Sequence, residues 1–124
     1  LTATKILIVD DNVDAASSFA DLLSISGRVV KIANNGWEAL GIVANWPPHC
    51  VVLDIGMPLL DGFGTIDALR ACPAYTRLPV IALTARSERE ISEQLQHSGF
   101  SAYLQKPADF SGILAIIRTL TSNT

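Results

Sequence analysis

Cysteine is scarce. The chain has 2, Cys50 and Cys72, with neither CxxC spacing nor the density of a disulfide-stapled secreted domain. Both are expected as free thiols in a reducing compartment. No apolar run reaches the ~18 to 20 residues a membrane-spanning helix needs, and the N-terminus lacks a charged region followed by an apolar one. A soluble, cytoplasmic domain making no membrane contact is expected. Basic charge is also short: Lys and Arg number 9 against 12 Asp and Glu, a net charge of −3. Duplex nucleic acid is bound largely by phosphate neutralisation, so no direct nucleic-acid contact is expected. Neither a GxGxxG nor a Walker loop is present, which argues against nucleotide binding. Low-complexity tracts, linkers and convincing repeats are missing too, and 124 residues is an ordinary size for one domain, so 1–124 reads as a single unit.

What is present is organised around Val51-Val52-Leu53-Asp54-Ile55-Gly56-Met57-Pro58-Leu59-Leu60-Asp61-Gly62. Apolar, mostly β-branched residues lead into a carboxylate, and a Gly-x-Pro segment then stops regular structure. Asp54 is thus predicted at the C-terminal tip of a buried strand, the edge where open parallel α/β sheets bind ligands. On this stretch alone, Asp54 as a chemical group and Asp54 as a turn cap stand level.

The same design recurs along the chain. Lys5-Ile6-Leu7-Ile8-Val9 ends in Asp10-Asp11-Asn12, and Leu78-Pro79-Val80-Ile81-Ala82-Leu83 ends in Thr84-Ala85-Arg86-Ser87. Val29 to Ala33 and Ser101 to Gln105 read as further strands, the latter leading into Lys106-Pro107. Between them lie helical patterns: Val13 to Ile25, Trp37 to Ala44, Asp61 to Arg70 with Asp61 as N-cap, Glu88 to Ser98, and Ala108 to Leu120. Five alternations with short connections predict a parallel sheet covered on both faces through right-handed crossovers.

The polar strand ends then gather on one edge: Asp10 and Asp11, Asp54, Thr84 and Lys106. Each has a plain structural role open to it, as a helix cap or a solvated lysine. Jointly, acid, acid, hydroxyl and amine at four strand ends point to a site. Clustered carboxylates repel one another unless one is protonated or a cation lies among them. With no His or Cys in the set, zinc is disfavoured, and Mg²⁺ fits better than a Ca²⁺ cage. Metal, lysine and hydroxyl together make a receptacle for oxyanion charge, phosphoryl above all.

In these blocks the chain resembles the receiver domain of two-component response regulators. Ile8-Val9-Asp10-Asp11-Asn12, Leu53-Asp54-Ile55-Gly56-Met57-Pro58 with Asp61-Gly62, Ala82-Leu83-Thr84-Ala85 and Lys106-Pro107 occur in the family's order over nearly the whole length. The resemblance implies a flavodoxin-like, doubly wound five-stranded parallel sheet of order 2-1-3-4-5. It further implies that Asp54 accepts a phosphoryl group from a phosphohistidine on a histidine kinase or histidine phosphotransfer protein. Asp11, Asp54 and the Gly56 backbone carbonyl would ligate Mg²⁺, with Asp10 acting through water. Lys106 would pair with phosphoryl oxygens and Thr84 would hydrogen-bond one of them. Inward movement of Thr84 would be coupled to Tyr103, changing the face formed by the fourth helix, fifth strand and fifth helix, which is also the expected surface of any homodimer.

Lys106-Pro107 is expected to be cis, and Gly56 and Arg86 to flank the path of hydrolytic water. Phosphotransfer and autodephosphorylation would then be self-catalysed, which leaves open whether the domain by itself counts as an enzyme. Two other readings compete: a pseudo-receiver that binds partners without phosphorylation, and a small Mg²⁺-dependent phosphohydrolase, whose Asp-x-Asp after the first strand this chain lacks. The start at Leu1 and the Asp-Asn-Val-Asp-Ala-Ala opening of the first helix look similar to receivers fused behind sensor kinases, as in hybrid histidine kinases. His49 and His97 are read as structural or surface residues, and Trp37 and Trp46 as packed against the sheet.

Overall fold

The computed structural model describes residues 3–56 and 61–122. In chain order the elements are β1 (Lys5–Val9), α1 (Val13–Ile25), β2 (Val29–Ala33), α2 (Gly36–Asn45), β3 (Cys50–Asp54), α3 (Gly62–Ala71), a 3-10 turn (Pro73–Tyr75), β4 (Val80–Thr84), α4 (Glu88–Gln96), β5 (Ala102–Gln105) and α5 (Phe110–Thr121). The strands form one parallel sheet in the order β2-β1-β3-β4-β5. The order reverses between β1 and β3, so the crossovers on either side diverge there and leave a crevice above the strand ends.

Strand alternation sorts the core into layers. Ile6 and Ile8 of β1, with Cys50 and Val52 of β3 and Ile81 of β4, face Ala16 and Leu23 of α1 and Ile113 and Ile117 of α5. Leu7, Val9, Val51, Leu53 and Val80 point the other way, onto Ala39 and Val43 of α2 and Ile66 and Leu69 of α3. Ala82 and Ile55 continue that second face onto Ile91 and Leu95 of α4. Every residue of β3 is buried, as expected for a strand covered on both sides.

The helix starts are chemically defined. Asn12, Asn35, Asp61 and Asp109 each accept a backbone N–H three residues on, at 3.1, 2.9, 2.8 and 2.8 Å. The cap at Asp109 starts α5 at Phe110, two residues later than hydrophobic spacing predicts. β4 begins at Val80 because Pro79 has no N–H to offer a ladder. Gly27, at φ 93°, turns the chain out of α1 in the left-handed region.

One tryptophan departs from expectation. Trp37 is 65% exposed, since the buried stripe of α2 runs through Gly36, Ala39 and Val43 and leaves position 37 on the solvent side. Trp46 does pack against the core, with the ammonium groups of Lys5 and Lys31 5.8 and 5.2 Å from its ring centroid. His49 is structural, its Nδ1 accepting the Lys5 N–H at 2.8 Å. Both cysteines are free thiols, and burial pushes the Cys50 thiol up to about 12. No helix among the described residues is long and apolar enough to cross a membrane.

Candidate functional site

Asp10 and Asp54 are brought together by register. Val9 pairs with Leu53, so one residue further on the two carboxylates leave adjacent strands at the same level. The backbone N–H of Asp10 donates to Ala33 at 3.0 Å, and its Oδ1 accepts the Asn12 N–H at 2.9 Å. Asp54 lies at the tip of β3, where its Oδ1 accepts the Gly56 N–H at 2.9 Å. Both acids are nearly withdrawn from solvent, at 7% and 8% exposure, whereas Asp11 is exposed. Asp10, Asp11 and Asp54 each offer one carboxylate oxygen, all within 4.8 Å of one another.

Lys106 reaches this group from the loop after β5. Its Nζ donates to Asp54 Oδ2 at 2.8 Å, and its backbone N–H holds the Thr84 carbonyl at 2.6 Å. The Lys106-Pro107 bond is cis. Burial pulls the Lys106 ammonium down, but the hydrogen bond and charge of Asp54, backed by Asp10 and Asp11, carry it above its ordinary value. Burial pushes Asp10 up, and the neighbouring acids add to that against the Asn12 N–H and Lys106. Three carboxylates therefore share one ammonium, an excess of negative charge in a half-buried crevice.

Thr84 is 3% exposed and its hydroxyl oxygen accepts the Arg86 N–H at 3.0 Å. With Asp54, Gly56, Arg86 and Lys106 it lines a cleft of about 370 Å³. Gln94 of α4 completes one wall, a residue that sequence reasoning missed. The available signal was its place between Ile91 and Leu95, the buried stripe of α4. Tyr103, 37% exposed on β5, is not among the residues lining this cleft. A larger cavity of about 500 Å³ lies on the opposite side, between α1 and α5. Its walls are mainly apolar, including Ala16, Phe19, Val52 and Ile113, and of the strand-end charges it meets Asp10 and Lys106. The smaller cleft instead brings together the carboxylate of Asp54, the hydroxyl of Thr84, the ammonium of Lys106 and the guanidinium of Arg86. The Met57-Pro58 part of the motif lies outside the described residues.

The chain matches the family model for the response regulator receiver domain over residues 6–118. It belongs to that family. An uncharacterized 14.6 kDa protein of Leptolyngbya boryana is 36% identical, the match covering 95% of this receiver domain and 90% of that protein. The response regulator MprA of Mycobacterium sp. (strain KMS) is 38% identical across 97% of this chain, which spans only 51% of MprA's length. Among solved structures, the receiver domain of the sensor histidine kinase PA1611 from Pseudomonas aeruginosa PAO1 superposes with a TM-score of 0.88 at 26% identity. That match covers 98% of this chain and 99% of that one, which carries a magnesium ion in its active-site cleft. The donor set of this receiver domain suits the same ion: clustered carboxylate oxygens with an unbalanced negative charge, and no imidazole or thiolate among them.

Proposed function

We propose that this receiver domain accepts a phosphoryl group on Asp54 from a phosphohistidine of a histidine kinase or histidine phosphotransfer protein. The observation that carries the reading is the Lys106 ammonium 2.8 Å from Asp54 Oδ2, beside two further carboxylates at the strand ends. An aspartate is a weak nucleophile towards an anionic phosphorus centre, so charge cancellation and in-line positioning must do most of the catalysis. Asp11, Asp54 and the Gly56 carbonyl would hold Mg²⁺, with Asp10 acting through water. Bound there, the ion supplies positive charge against the entering phosphoryl oxygens.

A carboxylate oxygen of Asp54 forms the new P–O bond as the P–N bond to the donor histidine breaks, and the imidazole leaves with the electron pair. Lys106, held protonated by the acids around it, exchanges part of its contact with Asp54 for a phosphoryl oxygen. The Thr84 hydroxyl turns from its own loop to donate to another. We assign the readout to that movement, transmitted through Tyr103 to the face of α4, β5 and α5, which is also the surface offered to a second copy. Water attacks the acyl phosphate along a path flanked by Gly56 and Arg86, returning the Asp54 carboxylate and inorganic phosphate. The cytoplasm is the compartment in which such donors present their phosphohistidines. The phosphorylation-independent alternative is disfavoured by the presence of the complete set of acids, hydroxyl and lysine.

Intact-mass spectrometry after incubation with acetyl phosphate and Mg²⁺ tests the proposal. One phosphoryl adduct is expected on the wild type, with none in EDTA and none on Asp54→Asn. No adduct on the wild type, together with no Mg²⁺ binding, would leave the pseudo-receiver as the working answer.

A further inference from the structure

Two glycines stand near Asp54, and they differ sharply. A Cβ added at Gly56 would lie 3.5 Å from Asp54 Oδ1, an ordinary contact. One added at Gly62 would lie 2.3 Å from the Ile55 Cα, 2.5 Å from its Cγ2 and 2.6 Å from its Cβ. Backbone and branch atoms, not a flexible side-chain end, occupy that space. The first turn of α3 therefore rests directly on the residue that follows Asp54.

Neither side of this contact is free to withdraw. Ile55 donates its N–H to Leu83 of β4 at 3.0 Å and accepts the Gly62 N–H at 3.3 Å, while its side chain packs with Ala82, Ile91 and Leu95. On the α3 side, Asp61 caps the helix through the Gly64 N–H at 2.8 Å, and the Thr65 hydroxyl donates to the Asp61 carbonyl at 2.7 Å. Beyond Ile55, among the described residues, the Gly56 N–H donates to Asp54 Oδ1 at 2.9 Å, which ties that backbone to the acceptor carboxylate.

We propose that Gly62 is a positioning residue for the acceptor: with no side chain, it lets α3 seat on Ile55 and so sets where the Asp54 carboxylate and the Gly56 carbonyl lie relative to each other. The proposal deepens the phosphoacceptor reading above and rests on it. A methyl group at 62 presses on the Ile55 Cα and, through the Ile55-Gly56 peptide, shifts the Gly56 carbonyl relative to the Asp54 carboxylate, which spreads the two oxygen donors apart.

The test uses Gly62→Ala in the whole chain, with Gly41→Ala as a control because a Cβ there meets nothing within 4 Å. Amide NMR of the metal-free proteins gives the first readout. In Gly62→Ala the β1 and β2 amides should keep their wild-type shifts, while those of Ile55 and Gly56 move and exchange at least tenfold faster. The second readout is a Mg²⁺ titration followed at the Gly56 amide, whose half-saturation point should rise tenfold or more, with a matching fall in the acetyl phosphate labelling rate. Gly41→Ala should match the wild type throughout. A folded Gly62→Ala with wild-type Gly56 exchange and wild-type Mg²⁺ half-saturation would overturn the proposal.

Should Gly62→Ala not fold, Thr65→Val loosens the same turn without adding bulk. It should accelerate Ile55 and Gly56 exchange and weaken Mg²⁺ binding severalfold, and unchanged values would overturn the proposal. A wild type that bound no Mg²⁺ and took no phosphoryl group would instead refute the phosphoacceptor reading, which the metal-free exchange data keep distinct from the seating of α3.

Discussion

Two places in this molecule withdraw charge from water, and they treat it in opposite ways. On the α3 side, the Arg70 guanidinium donates from Nε and Nη2 to the Gly99 carbonyl at 3.0 and 2.7 Å, and from Nη1 to the Tyr75 carbonyl at 2.6 Å. Burial draws its pKa down, and all three of its nitrogens donate to neutral carbonyl acceptors. It links α3, the 3-10 turn and the loop between α4 and β5. At the strand ends, three carboxylates crowd one lysine and remain undersupplied with positive charge. The fastening charge is held by neutral carbonyl oxygens from two other segments, whereas the strand-end charges face one another and leave an excess of negative charge.

Removing the ammonium paired with Asp54 should have the largest effect. Lys106→Ala is expected to slow phosphorylation by acetyl phosphate by at least about 10², the usual scale for losing one preorganised charge aimed at a reacting oxyanion. Time-resolved intact-mass spectrometry checks this. The fold should persist, because the pair Lys106 forms with Asp54 is partly exposed and contributes little to stability.

Arg70→Ala should produce the reverse pattern. It leaves the Gly99 and Tyr75 carbonyls without their donors, for a loss of about 2 kcal/mol seen as a lower urea midpoint at unchanged slope. Labelling of Asp54 in the folded protein should stay within about twofold of the wild type, a difference of less than ~0.5 kcal/mol in barrier. A large labelling defect there would show that the fastener and the site are one unit.

Asp10→Asn should give the smallest change, and one of opposite sign. In EDTA at neutral pH it removes one of three crowded carboxylates, yet its amide oxygen can still accept the Asn12 N–H. Stability is expected to rise by up to about 1 kcal/mol. The pH dependence follows from the direction of the Asp10 shift. Its folded pKa lies above the ordinary 3.8, so the folded state binds its proton more tightly than the unfolded chain does. That contribution is present at low pH and is lost as pH rises through the folded pKa. Thermal unfolding in EDTA from acid to neutral pH should show this decline in the wild type and a smaller one in Asp10→Asn. Equal curves for the two proteins would mean that the acids do not strain the metal-free domain.

Much of the fold was legible because two periodicities are written plainly. Runs such as Ile6 to Val9 and Val51 to Leu53 have no polar side to expose, so they had to become strands covered on both faces, and the helical spacing between them supplied the covers. The residues of the candidate site were legible for a related reason. Parallel connections send every strand in the same direction, so residues at strand ends share an edge however far apart they lie in the chain.

Trp37 was harder to read, because an aromatic near a helix start gives no sign of its side until the position of the buried stripe is known. The α5 start was missed by two residues because an apolar pattern marks a face, whereas the Asp109 cap marks a boundary.

By itself, then, the order of residues determined the parallel α/β architecture, the edge on which the candidate site lies, and the chemical types gathered there. These depend on local patterning and on chain direction. Tertiary structure alone decided that Gly62 has no room for a methyl group while Gly56 has, that Arg70 closes on two carbonyls, and that Gln94 lines the cleft. Each depends on the distance between elements from separate parts of the chain, and such distances are set by how all the side chains of the core pack at once.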